Sequence, residues 1–142
     1  MKIKVLLVDD HTVVLKGLAF FLSTQEDLEL VGEANNGKEA LVKVGETNPD
    51  VVLMDLYMPE MDGVATLAYI KQDPQLHHIP VIMCTGSFEF QEALIEAGAC
   101  AVLVKPIDQK SLFKIVSQHL PHINETNTDL FSEQSPGAQH VF

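Results

Sequence analysis

Apolar and polar positions along this chain alternate in blocks, and the blocks keep two different rhythms. Five short runs, KIKVLLV (2–8), DLELVGEA (27–34), DVVLM (50–54), PVIMC (80–84) and CAVLV (100–104), are rich in aliphatic residues and predict strands. The third and fifth are almost wholly apolar, as strands covered on both faces are. Between the runs, apolar residues fall at helical spacing. Val14, Leu18 and Phe21 repeat at i, i+4, i+7, and Val64, Leu67 and Ala68 at i, i+3, i+4. Phe90, Ala93, Leu94 and Ala97 do the same and stop at Gly98, a natural helix end. Leu112, Ile115 and Val116 mark a last helix, with Asp108 near its start. Five strand–helix units with short connections predict an α/β fold, a doubly wound parallel sheet with helices on both faces.

The pattern lapses near residue 120. Residues 1–120 read as one domain, and 121–142 (PHINETNTDLFSEQSPGAQHVF) as a flexible acidic tail or linker stub, without lysine and without a period. The apolar fraction of 46% suits a folded domain. Runs such as LAFFL (18–22) are too short to insert in a membrane, and the apolar start breaks at Asp9, unlike a signal peptide. Cys84 and Cys100 lack metal-like spacing and read as buried, reduced thiols of a cytoplasmic protein. The net charge is −11, and every basic residue is Lys. With no Lys/Arg patch to neutralise phosphates, direct nucleic-acid binding by this chain is not expected.

Charge changes the picture most at the strand ends. In a parallel sheet these ends share one edge, where ligands bind. Strand one ends in Asp9 and Asp10, strand three in Asp55, strand four in Thr85, and strand five in Lys105 followed by Pro106. Taken singly, each has an ordinary explanation: Asp10 as a helix cap, Thr85 as a turn residue, Lys105 as a solvated cation. Together they place three acids, a hydroxyl and one cation on a single edge. Two carboxylates about 5 Å apart repel by roughly 3 kcal/mol at an effective dielectric of 20. A hard divalent cation relieves that repulsion. Mg²⁺ (or Mn²⁺ in its place) takes a few carboxylate oxygens and leaves room for phosphate oxygens. A carboxylate beside it can accept a phosphoryl group as an acyl phosphate.

VLLVDDH (5–11), VVLMDLYMPEMDG (51–63), VIMCTG (81–86) and GACAVLVKP (98–106) resemble, in order and spacing, the receiver domain of two-component response regulators, the CheY-like family. The resemblance covers about residues 2–120 and implies a flavodoxin-like (βα)₅ fold with strand order 2-1-3-4-5. It implies Asp55 as phospho-acceptor, with Asp9, Asp10, Asp55 and the Tyr57 backbone carbonyl as Mg²⁺ ligands. Thr85 is then the switch hydroxyl, Lys105 the phosphate-binding cation, and Lys105–Pro106 a cis peptide bond. The implied partners are a histidine kinase or histidine phosphotransfer protein and a downstream effector protein. Whether phosphorylation drives dimerisation stays open. The implied chemistry turns over the domain's own side chain, so a conventional enzyme is not expected.

Three features depart from the commonest family pattern. Where the family often has Tyr or Phe three residues before the lysine, this chain has Val102, so a muted or differently routed switch is expected. Tyr57 and Ser87 hold positions that tune phosphoryl hydrolysis in this family. No output domain follows, which leaves a stand-alone receiver or a truncated regulator. Phe88 and Ile95 lie off the apolar stripe of their helix and are expected on the partner surface. A small-molecule phosphotransferase is the less fitting reading, because a second acid two residues after the nucleophile is replaced by Tyr57. An unphosphorylated, receiver-like scaffold acting only by protein binding is the alternative, although Asp9, Asp10, Asp55 and Lys105 are all retained.

Overall fold

Five strands pair in parallel, β1 (Ile3–Val8), β2 (Leu28–Ala34), β3 (Val51–Asp55), β4 (Val81–Thr85) and β5 (Ala101–Val104), in the order β2-β1-β3-β4-β5. This computed structural model describes residues 2–119, so the tail assigned to 121–142 lies outside the described residues. Helices α1 (Thr12–Ser23), α2 (Gly37–Thr47), α3 (Gly63–Gln72), α4 (Gln91–Glu96) and α5 (Gln109–His119) connect and follow the strands. This is the expected flavodoxin-like (βα)₅ arrangement.

Alternation along each strand sorts the core into two layers. Ile3, Val5 and Leu7 of β1 face one way and pack with Leu18, Phe21 and Leu22 of α1 and Leu112, Phe113 and Val116 of α5. Leu6 and Val8 face the other way, with Ala40 and Val44 of α2, Leu67 and Ile70 of α3 and Leu94 of α4. Every residue of β3 and β4 is buried, which explains the unbroken apolar runs 51–54 and 81–84 ahead of Asp55 and Thr85. Edge strand β2 instead exposes Glu29 and Glu33, charges that discourage pairing with another chain.

Local chemistry sets the helix ends. Asn36 accepts the Glu39 N–H at 2.8 Å to start α2, and Asp62 accepts the Ala65 N–H at 2.8 Å to start α3. Asp108 accepts from the Ser111 backbone at 2.7 Å and starts α5. At the head of α1 the capping position belongs to His11, whose side chain makes no cap, so Asp10 is not a helix cap. Helix α2 was not marked by periodicity, because only Ala40 and Val44 supply its buried apolar side chains.

Two expected helix stripes are corrected. Val64 is exposed, and α3 buries Thr66, Leu67 and Ile70 instead. Phe90, Ala93 and Ala97 are also exposed; Leu94 is the buried residue of α4. A short 3₁₀ turn over Phe88–Phe90 precedes α4, and none of its residues is buried. Cys84 is buried as expected, and burial pushes its thiol up to about 12. Cys100 is only half-buried and precedes β5 rather than opening it.

Gly63 joins the fold to the edge that carries the acids. Its N–H donates to the Leu56 carbonyl at 2.8 Å. A Cβ there would press on the Asp55 carbonyl oxygen, lie 2.6 Å from Met83 Cε, and lie 3.0 Å from Leu56 Cα. Backbone atoms cannot swing aside as a side chain can. Gly63→Ala is therefore expected to cost about 1–3 kcal/mol, read as a lower urea midpoint. An unchanged midpoint would show that the β3–α3 connection yields freely.

Candidate functional site

The carboxyl edge of the sheet gathers side chains from three separate parts of the chain. Asp9 follows β1, Asp55 closes β3, and Lys105 follows β5. The ladder holds these ends in register: the Asp9 N–H donates to the Ala34 carbonyl at 3.0 Å, Leu56 to Cys84 at 2.9 Å, and Lys105 to Thr85 at 2.7 Å. Lys105 Nζ then reaches back, 2.7 Å from Asp9 Oδ2 and 3.1 Å from Asp55 Oδ1. Both acids are almost fully buried, Asp9 at 4% and Asp55 at 5% exposure. The Lys105–Pro106 peptide bond is cis.

Asp10 and His11 complete the cluster. Asp9 Oδ1 accepts the His11 backbone N–H at 2.8 Å and lies 3.0 Å from His11 Nδ1. The same Nδ1 is 3.2 Å from Asp10 Oδ1, but not in hydrogen-bonding geometry, so that buried oxygen has no donor. One ligand atom each from Asp9, Asp10, His11 and Asp55 lies within 4.8 Å of the others. A buried carboxylate oxygen without a donor, among three acids, fits a hard divalent cation. The inclusion of His11 was missed by sequence reasoning, although DDH is contiguous; a histidine one residue past an acid pair does not reveal which way its ring turns.

Electrostatics follow from this crowding. Burial, then the Asp9 charge, pushes the Asp55 carboxyl above the usual carboxylate range; Lys105 opposes both, and Asp10 adds to the rise. Burial pulls the Lys105 ammonium down, but its hydrogen bond to Asp9 and the charge of Asp55 outweigh that, and it ends above its ordinary value.

The other residues singled out from sequence fall around this centre. Thr85 is buried at the end of β4, and its Oγ1 lies 3.4 Å from the Ser87 N–H that donates to it. Val102 is buried on the layer that holds Met83 and Leu94, and pairs in register with Met83 rather than with Thr85. Tyr57 is exposed two residues past Asp55. Phe88 and Ile95 are also exposed, on the 3₁₀ turn and on α4. Beside Tyr57 runs an apolar groove of about 220 Å³ lined by Leu56, Val64, Phe90 and Leu94, with Asp62 on its rim. Sequence reasoning missed the groove because it placed Val64 and Phe90 in the core.

A doubly wound parallel sheet with paired acids, a buried carboxylate and a lysine at its carboxyl edge defines the receiver class of signalling domain. Residues 5–117 match the response regulator receiver domain, and the chain belongs to that family. Response regulator protein VraR of Staphylococcus aureus is 45% identical over 114 residues, which cover 79% of this chain and 54% of VraR. The chain thus spans about half the length of the curated relatives it matches. Among solved structures, a response regulator from Chloroflexus aurantiacus superposes with a TM-score of 0.77 at 28% identity, over 85% of this chain and 99% of that one. A chain of the CheX–CheY–BeF₃–Mg²⁺ complex from Borrelia burgdorferi gives 0.75 at 29% identity, over 83% and 89%. Receiver domains bind Mg²⁺ at an acidic site, and a phosphorylation switch is general to the family. No helix among the described residues is long and apolar enough to cross a membrane.

The raised Asp55 carboxyl has a consequence for stability. A group that holds its proton more tightly when folded stabilises the fold below its unfolded value, and that contribution is lost as pH rises through its folded value. Ionised Asp55 therefore costs stability at neutral pH when no metal is bound. Asp55→Asn is expected to raise the metal-free melting temperature by several degrees at neutral pH, since about 1 kcal/mol moves a domain of this size by roughly 3–6 °C. The gain should shrink as pH falls into the acid range. A gain independent of pH would place the effect elsewhere.

Proposed function

We propose that Asp55 accepts a phosphoryl group from a histidine kinase or histidine phosphotransfer protein, and that the acyl phosphate shifts a partner-binding face of this domain. The observation that carries this reading is Lys105 Nζ bridging Asp9 Oδ2 and Asp55 Oδ1 at 2.7 and 3.1 Å. It holds the acceptor carboxylate beside a cation able to bind an incoming phosphoryl oxygen. Asp9, Asp10, Asp55 and the Tyr57 carbonyl are the residues that would hold Mg²⁺. That ion supplies charge neutralisation for the phosphoryl oxygens.

In the transfer, one Asp55 carboxylate oxygen forms a bond to phosphorus as the phosphorus–nitrogen bond of a phosphohistidine breaks, and the imidazole leaves with that electron pair. Lys105 neutralises the group once it arrives, and the Thr85 hydroxyl turns from Ser87 to donate to a phosphoryl oxygen. Hydrolysis later returns Asp55 to a carboxylate. The chain alters its own side chain, so it acts as a switch rather than a turnover enzyme. A cytoplasmic location suits a domain that meets kinase and effector, and residues 1–120 form the unit that does so.

The response is routed through α4. Val102 is buried and β-branched, with no ring to swing, so a shift of Thr85 passes instead to the turn over Phe88–Phe90 and the weakly anchored α4. Phe88 and Ile95 are the apolar part of the face offered to the effector protein.

Incubation with Mg²⁺ and acetyl phosphate, followed by intact-protein mass spectrometry, tests the transfer. The expected result is a metal-dependent gain of one phosphoryl group in wild type and none in Asp55→Ala. No gain with either acetyl phosphate or phosphorylated donor protein would favour a scaffold that works only by binding. Structures with and without beryllofluoride test the route. Displacement should concentrate at Phe88 and Ile95 while Val102 keeps its place. A large rearrangement around Val102 would overturn it.

A further inference from the structure

We propose that His11 supplies Nδ1 as a nitrogen ligand to the acidic centre, and so tunes that centre toward borderline transition-metal ions such as Ni²⁺. The inference rests on the reading of Asp9, Asp10 and Asp55 as metal ligands, and extends it to a residue outside the acid set.

His11 stands at the capping position of α1, yet its ring does not cap the helix. The side chain is 64% exposed and has room to turn toward solvent, but Nδ1 is turned inward to the two aspartates. The His11 backbone N–H donates to the same Asp9 Oδ1 at 2.8 Å, so backbone and ring converge on one carboxylate oxygen. Nδ1 lies 3.0 Å from Asp9 Oδ1 and 3.2 Å from Asp10 Oδ1. Adjacent ligands of an octahedral ion with bonds of about 2.1 Å are about 3.0 Å apart. The imidazole nitrogen therefore already sits at the spacing of a neighbouring ligand. Asp10 Oδ1, buried without a donor, faces the same space.

Ligand chemistry then sets the preference. Mg²⁺ is hard, favours oxygen and keeps its waters, so an imidazole adds little to its binding. Imidazole suits Ni²⁺, Zn²⁺ and Cu²⁺, which bind nitrogen more strongly in the general affinity order of divalent metals. A ring that only hydrogen-bonds to Asp9, as a stand-in for positive charge, would instead weaken or strengthen all cations alike. These two roles predict different selectivities.

Isothermal titration of the full chain with Mg²⁺, and with Ni²⁺ in the presence and absence of Mg²⁺, separates them. The Mg²⁺-competable part of Ni²⁺ binding isolates this centre from histidines elsewhere in the chain. His11→Asn is the informative variant: it places a side chain able to cap α1 at the capping position, which protects the fold, and removes the ring nitrogen. Competable Ni²⁺ affinity is expected to fall about ten-fold or more, while Mg²⁺ affinity stays within about two-fold. Nitrogen coupling in the pulsed electron paramagnetic resonance spectrum of bound Mn²⁺ should vanish in the same variant. Equal changes for Ni²⁺ and Mg²⁺, or none, would overturn the ligand role while leaving the acid centre intact. Absence of any Mg²⁺-competable site in wild type would overturn the metal centre itself, and this inference with it.

Discussion

Lys105 sits 2.7 Å from Asp9 and 3.1 Å from Asp55, and the carboxyl edge of the sheet is organised around that one ammonium. It joins residues 96 positions apart in sequence. Behind it the strands are apolar, so the two buried carboxylates find little neutralisation from the protein interior. A buried charge is tolerated when it is paired and hydrogen-bonded, and costs much when it is not. Lys105 meets that requirement only in part: three acids face one cation, and Asp55 still binds its proton more tightly than an exposed aspartate does. The remaining negative charge is what makes the edge receptive to a divalent ion and to chemistry at phosphorus.

The scaffold divides rigid from yielding parts along the same line. Asp55 ends a strand buried on both faces, and Gly63 presses α3 against its carbonyl, so the acceptor has little freedom. Helix α4 contrasts with this. It is a single short run with one buried side chain, Leu94, and it follows a 3₁₀ turn whose residues are all exposed. Few buried apolar contacts mean a low cost of local displacement. The turn and short helix that follow Thr85 are therefore best able to register a change there, and they expose the apolar residues Phe88, on the turn, and Ile95, on α4.

Most of the architecture was legible in the chain itself. Apolar runs located five strands to within a residue or two at each end, most sharply β3 and β4, where burial on both faces leaves little room for polar residues. The acids were legible for a related reason: a charge that abruptly closes an apolar run must lie at the strand end. Parallel order then brings Asp9, Asp55 and Lys105 to one edge before any side-chain distance is known. Helix α2 and the outer faces of α3 and α4 were not legible. Ala40 and Val44 make too faint a stripe, and Val64, Phe90 and Ala93 look like core residues although they face outward.

What the sequence alone determined, then, is the layered fold and which charged residues share its edge, since both follow from short-range periodicity and strand direction. Tertiary structure decided the rest. It turned the His11 ring inward to Asp9 and Asp10 and set Lys105 between Asp9 and Asp55. It also opened a groove where helix periodicity promised packing. Side-chain direction depends on which neighbours fill the space around it, and those neighbours come from distant parts of the chain. Local pattern does not encode that information.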